Sequence, residues 1–114
     1  MTAPIIPNPP VPAADLIYES PDDFYLSALS PWYARDLHDA HRWCVRWREH
    51  PEAVAKVEAL WRAWERCNQD RGTGLAVWWA NYADPTMERL LEPKGCFAGC
   101  NPDRHQPLAV PLPP

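Results

Sequence analysis

Proline placement limits what this chain can fold into more than any other feature. Proline fixes the backbone φ angle and removes a hydrogen-bond donor, so a helix interior tolerates it poorly. Five of the 15 prolines, Pro4, Pro7, Pro9, Pro10 and Pro12, fall in the first 12 residues. Four more, Pro107, Pro111, Pro113 and Pro114, fall in the last eight. The expected organisation is a disordered Pro-rich tail over 1–19, a folded domain over 20–106 and a second Pro-rich tail over 107–114. The PxxP spacings in the first tail suit a proline-reading partner or a plain spacer. A chain of 114 residues holds one domain at most, which excludes a two-halved nucleotide-binding fold.

Inside the folded part the pattern is helical. Ser20-Pro21-Asp22-Asp23 has the form of a helix start, with Ser as cap, Pro in the first position and acids in the first turn. Ser30-Pro31 repeats that signal and predicts a break or kink. Pro51 opens the clearest element, over 51–68. Val54, Val57, Leu60, Trp61, Trp64 and Cys67 recur there at three- and four-residue steps. Leu75, Trp78, Trp79 and Tyr82 form a second stripe after the Gly72-Thr73-Gly74 turn. Asp84-Pro85 predicts a break before a short helix carrying Met87, Leu90 and Leu91. No strand-like alternation is present, so the expected fold is all-α with three to five helices. Seven tryptophans supply large apolar area to a domain otherwise short of core.

The charges exclude little. Residues 1–23 carry Asp15, Glu19, Asp22 and Asp23 and no basic residue, so the remainder of the chain is balanced. Arg35, Arg42, Arg46 and Arg48 cluster locally, but Asp36, Asp39 and Glu49 lie among them. That pattern fits a solvated mixed-charge face, with a nucleic-acid face as the alternative. No run of 18 apolar residues and no signal-peptide pattern occurs, so the expectation is a cytoplasmic protein without a membrane segment.

In such a compartment cysteines serve as ligands or core residues rather than as disulfides. Cys44 and His50 lie just before the long helix. Cys100 and His105 lie in the C-terminal loop. Zinc takes four N or S ligands in a tetrahedron, commonly as two close pairs from separate segments. Cys44, His50, Cys100 and His105 supply two such pairs. Spacing alone leaves three readings open: this zinc quartet, unrelated core cysteines with exposed histidines, or a Cys–His nucleophile at Cys44 or Cys100. Cys67 reads as core, and His38 and His41 as exposed.

The motif Trp43-Cys44-x2-Trp47-x2-His50-Pro51-Glu52-Ala53-Val54, followed by Glu58-Ala59-Leu60-Trp61-Arg62-Ala63-Trp64-Glu65, resembles a family of actinobacterial proteins classed as a domain of unknown function. Its members are carried by plasmids, integrative conjugative elements and phages. The likeness continues through Gly74-x2-Val77-Trp78, Asp84-Pro85-x-Met87 and Gly95-x-Phe97-x2-Cys100-x4-His105, and spans residues 24–106. It implies a Cys–His pair before the long helix and another at the end, which map onto the same quartet. The chain departs from the family pattern at Cys96, where proline is expected, and lacks histidines near Tyr82 and Thr86. The expected function is a non-enzymatic, zinc-stapled helical adaptor that binds another protein. A nucleic-acid-binding accessory protein and a Cys- or zinc-dependent enzyme are the alternatives.

Overall fold

The computed structural model describes residues 10–106 and 108. It is helical, and no strand occurs among the described residues. Three helices carry the fold. α1 covers residues 21–32, α2 is Pro51–Cys67, and α3 covers residues 74–91. Short 3-10 turns at Ala13–Asp15 and Trp47–Glu49 precede α1 and α2.

α1 begins as the sequence predicts: the Ser20 hydroxyl accepts from the Asp23 N–H at 3.0 Å, and Pro21 fills the first position. The break expected at Pro31 holds to within a residue, since α1 ends at Trp32, whereas the break expected at Pro85 does not occur. Each proline follows a π-helical stretch, Tyr25–Leu29 in α1 and Trp78–Ala83 in α3. There the bonds widen to five residues, Ser30 N–H to Tyr25 O and Asp84 N–H to Trp79 O. A proline ring clashes with the carbonyl four residues back in a regular α-helix. The wider turn relieves that conflict, and past Pro85 it lets α3 run on to Leu91.

The same widening corrects the stripe predicted for α3. Its buried positions are Gly74, Trp78, Ala83, Met87, Leu90 and Leu91, with a five-residue step across the π stretch. Leu75 and Tyr82, placed on the core face by a regular period, are exposed. In α2 the period holds for Ala53, Val57, Leu60 and Trp64, which are buried, while Val54 lies at the edge of the face and is exposed. Phe24, Ala28 and Leu29 of α1 and Tyr33 just beyond it complete the core from that side. Trp78 donates its indole N–H to the Leu60 carbonyl at 3.1 Å, pinning α3 to α2.

The expected tails lie partly outside the described residues: 1–9, 107 and 109–114 are not described. At the described end of the first tail, Ile17 and Tyr18 are docked on α2. Glu65, 1% exposed, accepts the backbone N–H groups of Ile17 and Tyr18 at 2.8 and 2.9 Å. Trp61 donates its indole N–H to the Tyr18 carbonyl at 3.0 Å. The Tyr18 ring packs 4.9 Å from Trp64 and 5.5 Å from Phe24. Buried polar groups persist when hydrogen-bonded, so Glu65 is satisfied only while this segment is in place.

Candidate metal centre

His50 is the residue before α2, in extended backbone (φ −108°, ψ 105°), and Pro51 takes the first helical position. Its side chain makes no capping bond, so the imidazole is free to turn into the interior. Cys44 lies six residues earlier, in the connection after α1. That connection is held at two points. Arg42 N–H bonds the Leu91 carbonyl at 2.8 Å, tying it to the end of α3. Trp43 stacks on Tyr25 at 5.6 Å and 11°, and donates its indole N–H to the Tyr25 hydroxyl at 2.8 Å.

The second pair comes from the C-terminal loop. Phe97, fully buried, anchors that loop between Trp43 (4.6 Å) and His50 (4.7 Å). Tight turns then place Cys100 and return the chain. Cys100 N–H bonds the Phe97 carbonyl at 2.9 Å, and the Asn101 side chain accepts from Asp103 N–H at 2.8 Å. The backbones of Asn101 and Arg104 pair across the turn, which brings His105 back beside Cys100. Gly95 precedes Phe97 where a Cβ would stand 2.7 Å from the Arg89 carbonyl oxygen, so a larger residue there would push the loop off α3.

The two pairs converge. One donor atom from each of Cys44, His50, Cys100 and His105 lies within 4.8 Å of every other. Cys44 Sγ is 3.0 Å from His105 Nδ1, and Cys100 Sγ is 3.6 Å from His50 Nε2 and 4.0 Å from His105 Nδ1. Donors around a tetrahedral zinc, bonded at about 2.3 Å for sulfur and about 2.0–2.1 Å for nitrogen, stand about 3.3–3.8 Å apart. The group is therefore close enough to hold a metal ion, and its donor set suits zinc. Cys44, His50 and Cys100 are buried and His105 is half-buried.

The surroundings fit the same use. Gln106 N–H reaches Cys100 Sγ at 3.4 Å, and a backbone N–H of Arg46 serves Cys44. Such donors stabilise thiolate sulfur. The far nitrogen of His105, Nε2, faces Glu49 Oε1 at 3.9 Å. A carboxylate behind a ligating histidine orients the ring and raises its basicity. Burial holds the Cys44 thiol above its ordinary pKa and His50 below its own, with the neighbouring His105 acting on His50 in the same direction. Without a cation Cys44 and His50 thus favour their neutral forms.

Glu49 escaped the sequence reading. It was counted with the mixed charges, and its only local signal is that it precedes His50. Cys96, the thiol that departs from the family pattern, stands outside the quartet. Burial pushes its pKa up to about 11. Cys67 is half-buried at the end of α2 and is also outside it. His38 is exposed between Asp36 and Asp103, at 3.3 and 3.6 Å, while His41 is half-buried.

The arginine cluster forms no free basic face. Arg46 pairs with Glu49, and Arg48 pairs with Asp22 at 2.7 Å while lying 4.5 Å over Trp47. Arg42 turns its guanidinium to the carbonyls of Asp39 and His41. Like Arg42, Arg35 makes no ion pair among the described residues; its one hydrogen bond goes to the Ala34 carbonyl.

Fold and site together define a small helical domain whose C-terminal loop is drawn to the start of its long helix by a two-Cys, two-His cluster. The chain belongs to the family described as Domain of unknown function (DUF4913), which matches residues 18–114. No curated protein matches the chain. No solved structure matches it either. No helix among the described residues is long and apolar enough to cross a membrane.

Proposed function

We propose that this protein is a non-enzymatic, zinc-stapled helical adaptor that binds another protein, working within an actinobacterial mobile element or phage. The observation that supports it is the four-donor cluster, two cysteines and two histidines drawn from segments 61 residues apart at their extremes. A zinc with four protein ligands has no open position for water or substrate, and such sites are structural. Bound there, the metal supplies cross-linking: it ties the loop around Phe97 to the start of α2. The partner surface is then carried by the helices. Leu26, 65% exposed, and Val45, 74% exposed, are its most apolar outward positions near α1.

The nucleic-acid alternative draws less support, since Arg42, Arg46 and Arg48 are engaged within the chain. The enzyme alternative requires an open metal position or a reactive thiolate, and both cysteines of the cluster are buried.

Cobalt substitution tests the closed site. The adaptor reading expects the spectrum of a tetrahedral ion with two sulfur and two nitrogen ligands, unchanged by added azide or cyanide. An anion-sensitive spectrum would mean an exchangeable position and would favour the enzyme. Photo-crosslinking from Leu26 in the native host tests the partner. A single protein recovered in stoichiometric yield is expected, and nucleic acid in its place would overturn the adaptor reading.

A further inference from the structure

A second site lies away from the metal cluster, between α1, α3 and the connection over 34–46. It is a cavity of about 300 Å³, open on one side. Its apolar walls include Tyr25, Leu29, Leu37, Trp43 and Met87, and Arg35 is its only charged lining residue among those described. The volume matches the lower end of small-molecule sites, about 300–1,000 Å³. An apolar cavity of about 150 Å³ takes one benzene, so this one has room for about a dozen non-hydrogen atoms.

The polar side chains around it, Arg35, Tyr25, Tyr33 and Ser30, can all donate, and the Ser30 hydroxyl can also accept. Arg35 spends one N–H on the adjacent Ala34 carbonyl at 3.0 Å and lies 5.5 Å over the Tyr33 ring. It has no acidic partner within ion-pair distance among the described residues. Tyr25 accepts from Trp43 through its oxygen, which leaves its own O–H to donate. Tyr33 already donates to Asp84 at 2.5 Å. Three acids, Asp84, Glu88 and Glu92, line a separate recess that shares only the Tyr33, Arg35 and Leu91 walls. A greasy cavity with unspent donors, one of them cationic, and no carboxylate complements an apolar anion.

We propose that this cavity binds a small carboxylate carrying an aryl or branched alkyl group, the apolar part between α1 and α3 and the carboxylate on Arg35. The site goes beyond the adaptor reading and does not depend on what the metal does. Its wall residue Trp43 is followed directly by Cys44, so the full chain should be tested as purified, with whatever metal it holds.

The probes are 4-phenylbutyrate, 4-phenylbutan-1-ol and 4-phenylbutylamine, which share one apolar group and differ in charge. Binding is followed through the Trp43 indole N–H resonance. Ligands of about a dozen atoms bind near about 1 mM at ordinary efficiency. The carboxylate is expected to bind about tenfold tighter than the alcohol, and the amine weakest, since a hydrogen bond to a charged group is worth about a factor of ten. Arg35→Gln should bring the carboxylate down to the alcohol's affinity and leave the alcohol unchanged, which also shows that the variant is folded. Three outcomes would overturn the proposal: equal affinities for all three probes, an Arg35→Gln variant that retains the preference, or no movement of Trp43 at about 10 mM, well above that expected range.

Discussion

Cys44 Sγ lies 3.0 Å from His105 Nδ1, across 61 residues of chain. No helix joins the two. Their approach depends on Trp43 and Phe97, whose rings stand 4.6 Å apart and wedge the connection after α1 against the C-terminal loop. A metal held between them would close a long loop, and loops of this size are where a cross-link restricts the unfolded chain most. A metal there would therefore act on stability first.

The Glu49 carboxylate should tune the metal without being a ligand. Glu49→Gln is expected to lower zinc affinity by up to about tenfold, the low end for a partner behind a ligating histidine. Competition against a chromophoric chelator measures it. An affinity equal to that of the parent would show that His105 is oriented by other contacts.

Metal affinity should rise with pH near neutrality. Burial holds the Cys44 thiol above its ordinary value, so the free site carries a proton there that the metal must displace. His50 is held below its ordinary value, so it is already neutral and releases none. Each proton released makes affinity climb about tenfold per pH unit. Calorimetry in buffers of different ionisation enthalpy counts the protons. Zero released on binding would contradict a thiolate-bound metal.

Outside the quartet, Glu65 should be the polar residue the fold tolerates losing least. Glu65→Ala strands the N–H groups of Ile17 and Tyr18 and opens a hole beside Trp61, at a cost of about 2–4 kcal/mol. Glu65→Gln keeps one acceptor oxygen and should cost less. Denaturant unfolding ranks the two, and limited proteolysis should cut the 10–19 segment faster in the alanine variant. Equal cutting in variant and parent would show that the segment is held by its ring contacts alone.

Gly74 marks the closest approach of α3 to α2. A Cβ there would overlap the Cys67 carbonyl oxygen and crowd the Asp70 side chain. Because the obstacle is backbone, the helices must separate, and Gly74→Ala is expected to cost about 1–3 kcal/mol despite its higher helix propensity. A thermal melt decides. A melting temperature at or above the parent's would mean that the junction yields freely.

Much of this was legible from residue spacing. The quartet of Cys44, His50, Cys100 and His105 was readable as two close pairs, and the structure brings all four donors together. The Val57–Leu60–Trp64 face was readable because α2 is regular. What escaped came from interactions that no local pattern encodes. Pro31 signalled a break, and α1 ends one residue later; Pro85 signalled a break, yet the π stretch before it absorbs the ring clash, with Trp78 and Ala83 buried at its two ends. The one-residue shift in α3 puts Ala83 rather than Tyr82 on the core face, while Leu75 is exposed because Gly74 takes the buried position before Trp78. Glu65 looked like an ordinary helix-surface acid, and only its partners 47 and 48 residues away explain its burial. The arginine cluster read as a mixed-charge face with Glu49 among it; the pairing of Arg46 with Glu49 fits that reading, while the partner of Arg48, Asp22, lies 26 residues away and has no local signal.

The central claim is that the quartet holds one zinc that the fold requires. The most direct measurement is elemental analysis of the full chain purified without added metal, paired with the thermal melts of the parent and of Cys100→Ser and His50→Ala. The expected result is one zinc per chain in the parent and none in either variant. Both variants should also lose their cooperative melt, because structural zinc binding of about 10–16 kcal/mol rivals the whole stability of a small domain, about 5–15 kcal/mol. A parent that carries no metal and still melts cooperatively would contradict the claim, and the four side chains would then be core residues that happen to meet.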